Sequence, residues 1–415
     1  METHLADWLE GTPDGIEAEA ILRRCVHCGF CTATCPTYQL LGDERDGPRG
    51  RIYLMKSVFE GEEPTRATQL HLDRCLTCRN CETTCPSGVE YGRLVDIGRR
   101  HVAARVERPL GERLLRSALR EGLTRRWLFD PAMRVGRLVR PLLPAGLRAK
   151  VPAALPAGQW PTREHARKVL MPEGCVQPAM MPNIDAATAR VLDALGVQAL
   201  RVRDSGCCGA IRLHLDDESG AQAQARANID AWWPHLDEVE AILVNASGCG
   251  VMVKDYGHLL RHDPAYAERA ERVAGLARDP AQWLPEALAA ADLSIARDDR
   301  PLAFHPPCTL QHGQRIRGAV EGLLQSLGAR LVPVADSHLC CGSAGTYSVT
   351  QPALSRELRD RKLAALGERS PAMILSANIG CISHLAGGSA VPVRHWLEWL
   401  DERIAAGSAA GGQDD

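Results

Sequence analysis

Cys25-Val-His-Cys28-Gly-Phe-Cys31-Thr-Ala-Thr-Cys35-Pro36 recurs fifty residues downstream as Cys75-Leu-Thr-Cys78-Arg-Asn-Cys81-Glu-Thr-Thr-Cys85-Pro86. Each run has the spacing C-x2-C-x2-C-x3-C-P. Three thiols set two residues apart can wrap one object from a single tight loop. The fourth leads away through a proline that fixes the chain direction and offers no backbone N–H. The 39 residues between the runs include Gly42-Asp43-Glu44-Arg45-Asp46-Gly47-Pro48-Arg49-Gly50-Arg51, which reads as a polar, turn-rich loop. Arg49 and Arg51 in it are candidates to dock a partner or to act by charge on whatever the cysteines hold.

Eight further cysteines lie beyond residue 170, and they too are duplicated. Cys175 precedes Cys207-Cys208-Gly209 by 31 intervening residues, and Cys308 precedes Cys340-Cys341-Gly342 by the same 31. A Gly-Cys pair closes each set, at Gly248-Cys249 and Gly380-Cys381. Such a period is the signature of a repeated structural unit. Short apolar runs, Lys168–Leu170 and Leu302–Phe304, read as buried strands leading to Cys175 and Cys308. Amphipathic helices follow and stop at Leu195-Gly196 and Leu327-Gly328, where glycine is a natural terminator. Second strands (Val197–Val202, Arg330–Val334) lead to the Cys-Cys-Gly loops, and third ones (Ala241–Val244, Met373–Leu375) to the last cysteines. Strands alternating with helices predict a mostly parallel sheet in each half, with the cysteines gathered at its carboxyl edge. The fold class expected is therefore α+β and α/β. It combines an N-terminal helical two-cluster ferredoxin-like domain (15–100) with a C-terminal duplicated α/β cysteine-rich domain (166–296 and 297–405). An Arg-rich helical connector and Pro/Ala linker (101–165) would join them, and residues 406–415 would be a disordered tail.

The chain has 415 residues, 45% of them hydrophobic, and a net charge of −2. That is enough for two or three domains with real cores, and no global basic field calls for nucleic acid. No apolar run reaches the roughly 20 residues that span a bilayer. The Met1-Glu2-Thr3-His4 start lacks a secretory pattern, so a cytoplasmic location is expected. In a reducing compartment sixteen cysteines are better explained as metal ligands than as disulfides. The run C-x2-C-x2-C-x3-C-P is the bacterial ferredoxin ligand pattern, whose fourth cysteine serves the other cluster. It assigns Cys25, Cys28, Cys31 and Cys85 to one 4Fe–4S cluster and Cys75, Cys78, Cys81 and Cys35 to a second. Zinc, the alternative, typically takes separated Cys-x2-Cys pairs. Fully thiolate-capped clusters carry electrons and make no bonds.

The paired C…CCG…C arrangement resembles the cysteine-rich domain shared by heterodisulfide reductases, the cluster-bearing chain of anaerobic glycerol-3-phosphate dehydrogenase and lactate-utilisation proteins. Together with Arg24–Leu41, Cys75–Val89 and Ser337–Tyr347, it makes the chain look most like the iron–sulfur subunits of glycolate oxidase. That resemblance implies an oxidoreductase subunit that takes electrons from flavin-binding hydroxy-acid oxidase subunits, with FAD on the partner, and passes them toward quinone or another acceptor. The chain shows no Gly-x-Gly-x-x-Gly after a strand, so it is not expected to oxidise glycolate alone. The alternatives are a heterodisulfide-reductase-like thiol–disulfide reductase and a subunit of a related lactate or glycerol-3-phosphate dehydrogenase. Against the reductase, each repeat ends without the second cysteine of a Cys-x-x-Cys: Cys249 is followed by Gly-Val-Met and Cys381 by Ile-Ser-His.

One more cluster or a zinc ion in the cysteine-rich region is expected first at Cys308, Cys340, Cys341 and Cys381, and less so at Cys175, Cys207, Cys208 and Cys249. Four histidines favour the second half as auxiliary groups: His305, His312, His338 and His384, where the first half has Pro172, Ala179, Ser205 and Met252. In the stretch Arg99–Arg140, Trp127, Leu128, Phe129, Met133, Val135, Leu138 and Val139 sit among arginines. That pattern suits either peripheral association with the inner face of the cytoplasmic membrane or an ordinary amphipathic helix.

Overall fold

A computed structural model describes residues 1–144, 148 and 151–411 of the chain. Its N-terminal third is helical. The helix Pro13–Arg24 starts on Thr12, whose hydroxyl accepts from the Gly15 amide at 3.0 Å, with Pro13 pre-set in the first turn. The helix Arg66–Asp73 starts on a reciprocal Thr65/Thr68 capping box. With Pro48–Phe59 and Tyr91–Arg105 they bury Leu22, Met55, Phe59, Leu72 and Leu94, and Cys25, Cys75 and Cys81 belong to the same core. The segment expected as a loop is ordered otherwise. Glu44–Asp46 is a 3-10 turn, and a helix begins at Pro48 because proline there needs no partner for a missing N–H.

Eight strands follow: β1 Arg167–Met171, β2 Val197–Arg201, β3 Ile242–Leu243, β4 Ala277–Arg278, β5 Asp298–His305, β6 Ala329–Leu331, β7 Met373–Ser376 and β8 Val393–His395. They form two all-parallel sheets with one topology, β2-β1-β3-β4 and β6-β5-β7-β8. The six expected strands are present with ends shifted by a few residues. The fourth strand of each sheet is only two or three residues long and gives no periodic signal. In each sheet the order reverses between the first and third strands, the switch point where such folds open a crevice at the carboxyl ends. Cys175, Cys207/Cys208 and Cys249 follow β1, β2 and β3; Cys308, Cys340/Cys341 and Cys381 follow β5, β6 and β7.

The two repeats share one core. Val169 and Met171 of β1, Phe304 of β5 and Leu375 of β7 belong to one apolar cluster with Val191 and Leu192, and with Trp396 and Trp399 of the final helix. That helix, Trp396–Gly411, runs past residue 405, where order was expected to end; residues 412–415 lie outside the described residues. The segment around 151–166 has almost no regular structure but is pinned. Trp160 packs on the shared core under Arg201, and Arg190 donates to the carbonyls of Ala157 and Gln159 at 3.3 and 3.1 Å.

Candidate metal centres

The two N-terminal runs make two adjacent thiol-lined hollows. Cys85 joins Cys25, Cys28 and Cys31 around an opening of about 430 Å³. Cys35 joins Cys75, Cys78 and Cys81 around one of about 300 Å³. The fourth cysteine of each run thus crosses to the other set. Pro48, Cys81 and Tyr91 line both hollows and form their common wall. The loops are matched in backbone: His27 and Gly29 have φ of 57° and 86°, Thr77 and Arg79 50° and 57°. Left-handed residues between right-handed neighbours turn amides inward as anion-binding nests, and the Thr77 N–H lies 3.4 Å from the Cys75 sulfur. The Tyr91 hydroxyl donates to the same sulfur at 3.7 Å.

Among the described residues that line the two hollows there is no carboxylate, and the sulfurs are a soft donor set suited to iron–sulfur clusters. Burial and the neighbouring Cys25 push the Cys31 thiol up to about 11, and burial drives Cys78 and Cys81 well above the ordinary thiol range. Thiols crowded this way release their protons when a metal arrives.

The hollows differ in surroundings. Cys28 is exposed and flanked by Val26 and Phe30, 68% and 62% exposed. The second hollow lies over buried cations. Arg51, 1% exposed, donates to the His71 carbonyl at 2.7 Å and to Thr37 Oγ1 at 3.1 Å, and pairs with Asp46. Asp46 also holds Arg74 at 2.9 Å and His71 at 3.0 Å. Arg99 donates to the carbonyls of Leu72 and Cys75. Arg51 is therefore not a docking residue; its charge faces inward, toward Cys35 and Cys75. Arg49 remains half-exposed and pairs with Glu44 at 2.6 Å. Sequence reasoning missed Asp46, Tyr91 and Arg99, because a buried ion network has no spacing signal.

The C-terminal cysteines close into two quartets. Sulfur contacts run from Cys175 to Cys207, Cys208 and Cys249, and from Cys308 to Cys340, Cys341 and Cys381. In the first, Asn228 clamps the loop: its amide donates to the Cys207 carbonyl at 2.9 Å and its oxygen accepts from the Gly206 N–H at 2.8 Å. The Tyr256 hydroxyl donates to the Cys208 carbonyl at 3.0 Å. Asp185, partly buried nearby, accepts from Gln177 and Asn245, and desolvation raises it to about 6. In the second, the Gly342 N–H lies 3.4 Å from the Cys340 sulfur and Asn378 Nδ2 3.6 Å from that of Cys381. Gly342 has φ of 84°, and a Cβ there would strike the Ser355 carbonyl at 2.5 Å. Lys362, 3% exposed, donates to the Asp336 carbonyl at 2.6 Å beside these thiols.

The second quartet abuts the N-terminal module. Leu76, Cys308, Cys340, Tyr347 and Leu358 form one buried cluster, with Cys78 packed on it. Asn80 donates to the His338 carbonyl at 3.2 Å, and Tyr347 to that of Arg74 at 3.1 Å. The four histidines divide. His305 lies against the thiols, with one ring nitrogen within 4.8 Å of the Cys341 and Cys381 sulfurs. His312 bridges the domains, with Nδ1 at 2.9 Å from Thr83 Oγ1 and Nε2 at 2.9 Å from the His338 carbonyl. His338 contributes that carbonyl, and His384 Nε2 lies 3.2 Å from both oxygens of Ser355.

Residues 21–89 match the 4Fe-4S dicluster domain, and residues 169–254 and 302–386 each match the cysteine-rich domain. The glycolate oxidase iron-sulfur subunit of Escherichia coli K12 is 54% identical over 97% of this chain and 99% of its own length. This chain belongs to the family of glycolate oxidase iron–sulfur subunits. The probable glycolate oxidase iron-sulfur subunit of Bacillus subtilis 168 is 31% identical over 89% of both chains. Lactate utilization protein A of an Exiguobacterium is 26% identical over 55% of this chain and 95% of its own. These family models mark the chain as an iron–sulfur protein with a duplicated cysteine-rich unit.

Proposed function

We propose that this chain is the iron–sulfur electron-transfer subunit of a glycolate-oxidising complex and that flavin-binding subunits deliver electrons to it. Cys25, Cys28, Cys31 and Cys85 would hold one 4Fe–4S cluster, and Cys35, Cys75, Cys78 and Cys81 a second. A further metal centre would sit on Cys308, Cys340, Cys341 and Cys381. Bound there, such groups supply one-electron carriers. The protein's own part is to place them, exclude water and set their charge.

One observation supports this reading most: the thiol sets are contiguous. The exposed edge at Cys28 leads through the wall of Pro48, Cys81 and Tyr91 to the buried set, and Cys78 then packs against Cys308 and Cys340. Val26, Phe30 and Tyr53, the last 58% exposed, give the outer edge an apolar rim on which the flavin subunit would dock. Buried Arg51 and Arg99 favour the added negative charge of a reduced inner set, so electrons are drawn inward. The test is anaerobic mixing with the flavin subunits and glycolate. Both module clusters should reduce, and the chain alone should leave glycolate untouched. Glycolate oxidation by the isolated chain, or no reduction with the partner present, would sink the reading.

Among the described residues no helix is long and apolar enough to cross a membrane. The helix Arg126–Leu138 and the turn after it nonetheless carry Trp127, Val135, Leu138 and Leu142 at 69%, 59%, 81% and 85% exposure, at helical spacing. The preceding helix also exposes Leu110 and Leu114, and Arg113 and Arg134 are exposed on the two helices. This stripe supports peripheral attachment to an anionic bilayer, which is where a quinone acceptor resides. Flotation with phosphatidylglycerol vesicles should carry the wild type upward and leave a Trp127→Glu/Leu138→Glu variant at the bottom.

A further inference from the structure

His305 is the last residue of β5 and stands in register with Ser376 of β7. Its side chain is fully buried, and its backbone carbonyl accepts from Ser376 Oγ at 2.9 Å. Neither ring nitrogen has a hydrogen-bond partner. A neutral imidazole carries one donor and one acceptor. Leaving either unpaired inside a protein costs about 1–3 kcal/mol, so such orphans are rare and call for an explanation. The next two residues, Pro306 and Pro307, have no N–H to offer the ring. What lies beside it is sulfur: one ring nitrogen, Cys341 Sγ and Cys381 Sγ all fall within 4.8 Å of one another. Cys341 in turn touches Cys340, and Cys340 touches Cys308. The first repeat has no counterpart, since the residue three before Cys175 is Pro172.

We propose that His305 is a metal ligand: one of its ring nitrogens binds the metal held by Cys341 and Cys381, so that the second quartet is a mixed imidazole–thiolate centre. This rests on the reading that the second quartet holds metal. The strand end fixes the ring, the buried nitrogen is free to take a Lewis acid, and metal binding removes the cost of the orphaned acceptor. A neutral nitrogen in the ligand set lowers the negative charge that thiolates alone would place on the group. Histidine ligation raises cluster potentials for this reason. The second centre is thereby suited to receive electrons from the set at Cys78 beside it.

The test uses the full chain, purified anaerobically with natural or 15N-labelled histidine. It compares wild type, His305→Ala, His305→Cys and Cys340→Ser/Cys341→Ser. Iron and zinc are counted, and nitrogen ligation is read by pulsed paramagnetic resonance of the reduced protein and by X-ray absorption at the metal edge. The wild type should show a directly bound nitrogen that shifts with the isotope. His305→Ala should lose it while the N-terminal cluster signals persist, and should release its metal to a chelator at least about tenfold faster. His305→Cys should keep the metal and show no nitrogen. A nitrogen signal unchanged in His305→Ala, or absent from wild type whose quartet metal is present, overturns the assignment. Equal metal content in wild type and the double-serine variant would instead overturn the reading that the quartet binds metal, and the histidine ligand with it. The isotope measurement on wild type decides the matter even if His305→Ala misfolds.

Discussion

The two cysteine-rich repeats thread four parallel strands in the same order and close four thiols at the same sheet edge, yet they set those thiols in opposite electrical surroundings. The first keeps a partly buried carboxyl, Asp185, near its quartet and clamps its loop with neutral groups, Asn228 and Tyr256. The second has Lys362 and the His305 ring there, and its quartet packs on Leu76 and Cys78 of the N-terminal module, whereas the first repeat meets that module through ion pairs such as His258 and Arg261 with Glu17. A thiolate-ligated group is anionic, so a neighbouring ammonium stabilises it and a neighbouring carboxylate opposes it. Duplication supplied the frame twice, and the side chains set around the thiols differ in charge between the two copies.

Breaking the comparison at the sulfurs should have the largest effect. With the module clusters first reduced by flavin subunits and limiting glycolate and a water-soluble quinone then added as oxidant, Cys340→Ser/Cys341→Ser should slow reoxidation of the module clusters by at least about 100-fold, close to 3 kcal/mol of barrier. Cys207→Ser/Cys208→Ser should change it by less than about threefold on the same scale. Stopped-flow absorbance distinguishes them, and equal effects would mean the copies serve alike. The loop clamps come next. Asn228→Ala strands the Gly206 N–H and the Cys207 carbonyl and should cost about 3 kcal/mol, whereas Ser355→Ala, losing the 2.7 Å bond to the Gly342 carbonyl, should cost about 1 kcal/mol in denaturant titration.

The seam between the repeats gives a pH test. Asp279 caps the helix Pro280–Ala289, accepts from Gln314 of the second repeat at 3.4 Å, and is raised by burial to about 6. Its folded pKa lies above the unfolded value, so the fold binds the proton more tightly. That stability is fully present below about pH 4 and is lost as pH rises through about 6. Asp279→Asn keeps a capping side chain and should remove this dependence, gaining about 2 kcal/mol on wild type between pH 4 and pH 7. Because the repeats share a core, the gain should appear in one unfolding transition; two transitions would mean that they fold apart. The smallest effect sharpens the electrostatic contrast. Lys362→Met should speed metal loss from the second quartet to a chelator about tenfold, near 1.4 kcal/mol, while Asp185→Asn should not speed loss from the first.

The sequence was most legible where chemistry imposes spacing. The crossed ferredoxin pattern anticipated that Cys85 would sit with Cys25 and Cys35 with Cys75, because a tight loop supplies three sulfurs and a proline turn carries off the fourth. The period of the Cys-Cys-Gly units anticipated two like sheets. Reading failed where long-range contact overrides local composition. Gly42–Arg51 looks like a solvated loop, but Asp46 pulls Arg51, His71 and Arg74 inward, and the chain turns helical at Pro48. The apolar side of Arg126–Leu138 suits burial equally well, and only the packed chain leaves Trp127 and Leu138 outside.

By itself, then, the sequence determined the ligand chemistry, the duplication and the parallel α/β order, since each is written in the identity and spacing of neighbouring residues. Only the tertiary structure decided which quartet touches the ferredoxin module, which of four histidines faces sulfur, and which arginines lie beneath the clusters. The first of those facts depends on residues more than two hundred positions apart, such as Thr83 and His312 or Arg74 and Tyr347, the other two on tertiary packing over tens of residues, and no local pattern encodes which surfaces will share a core.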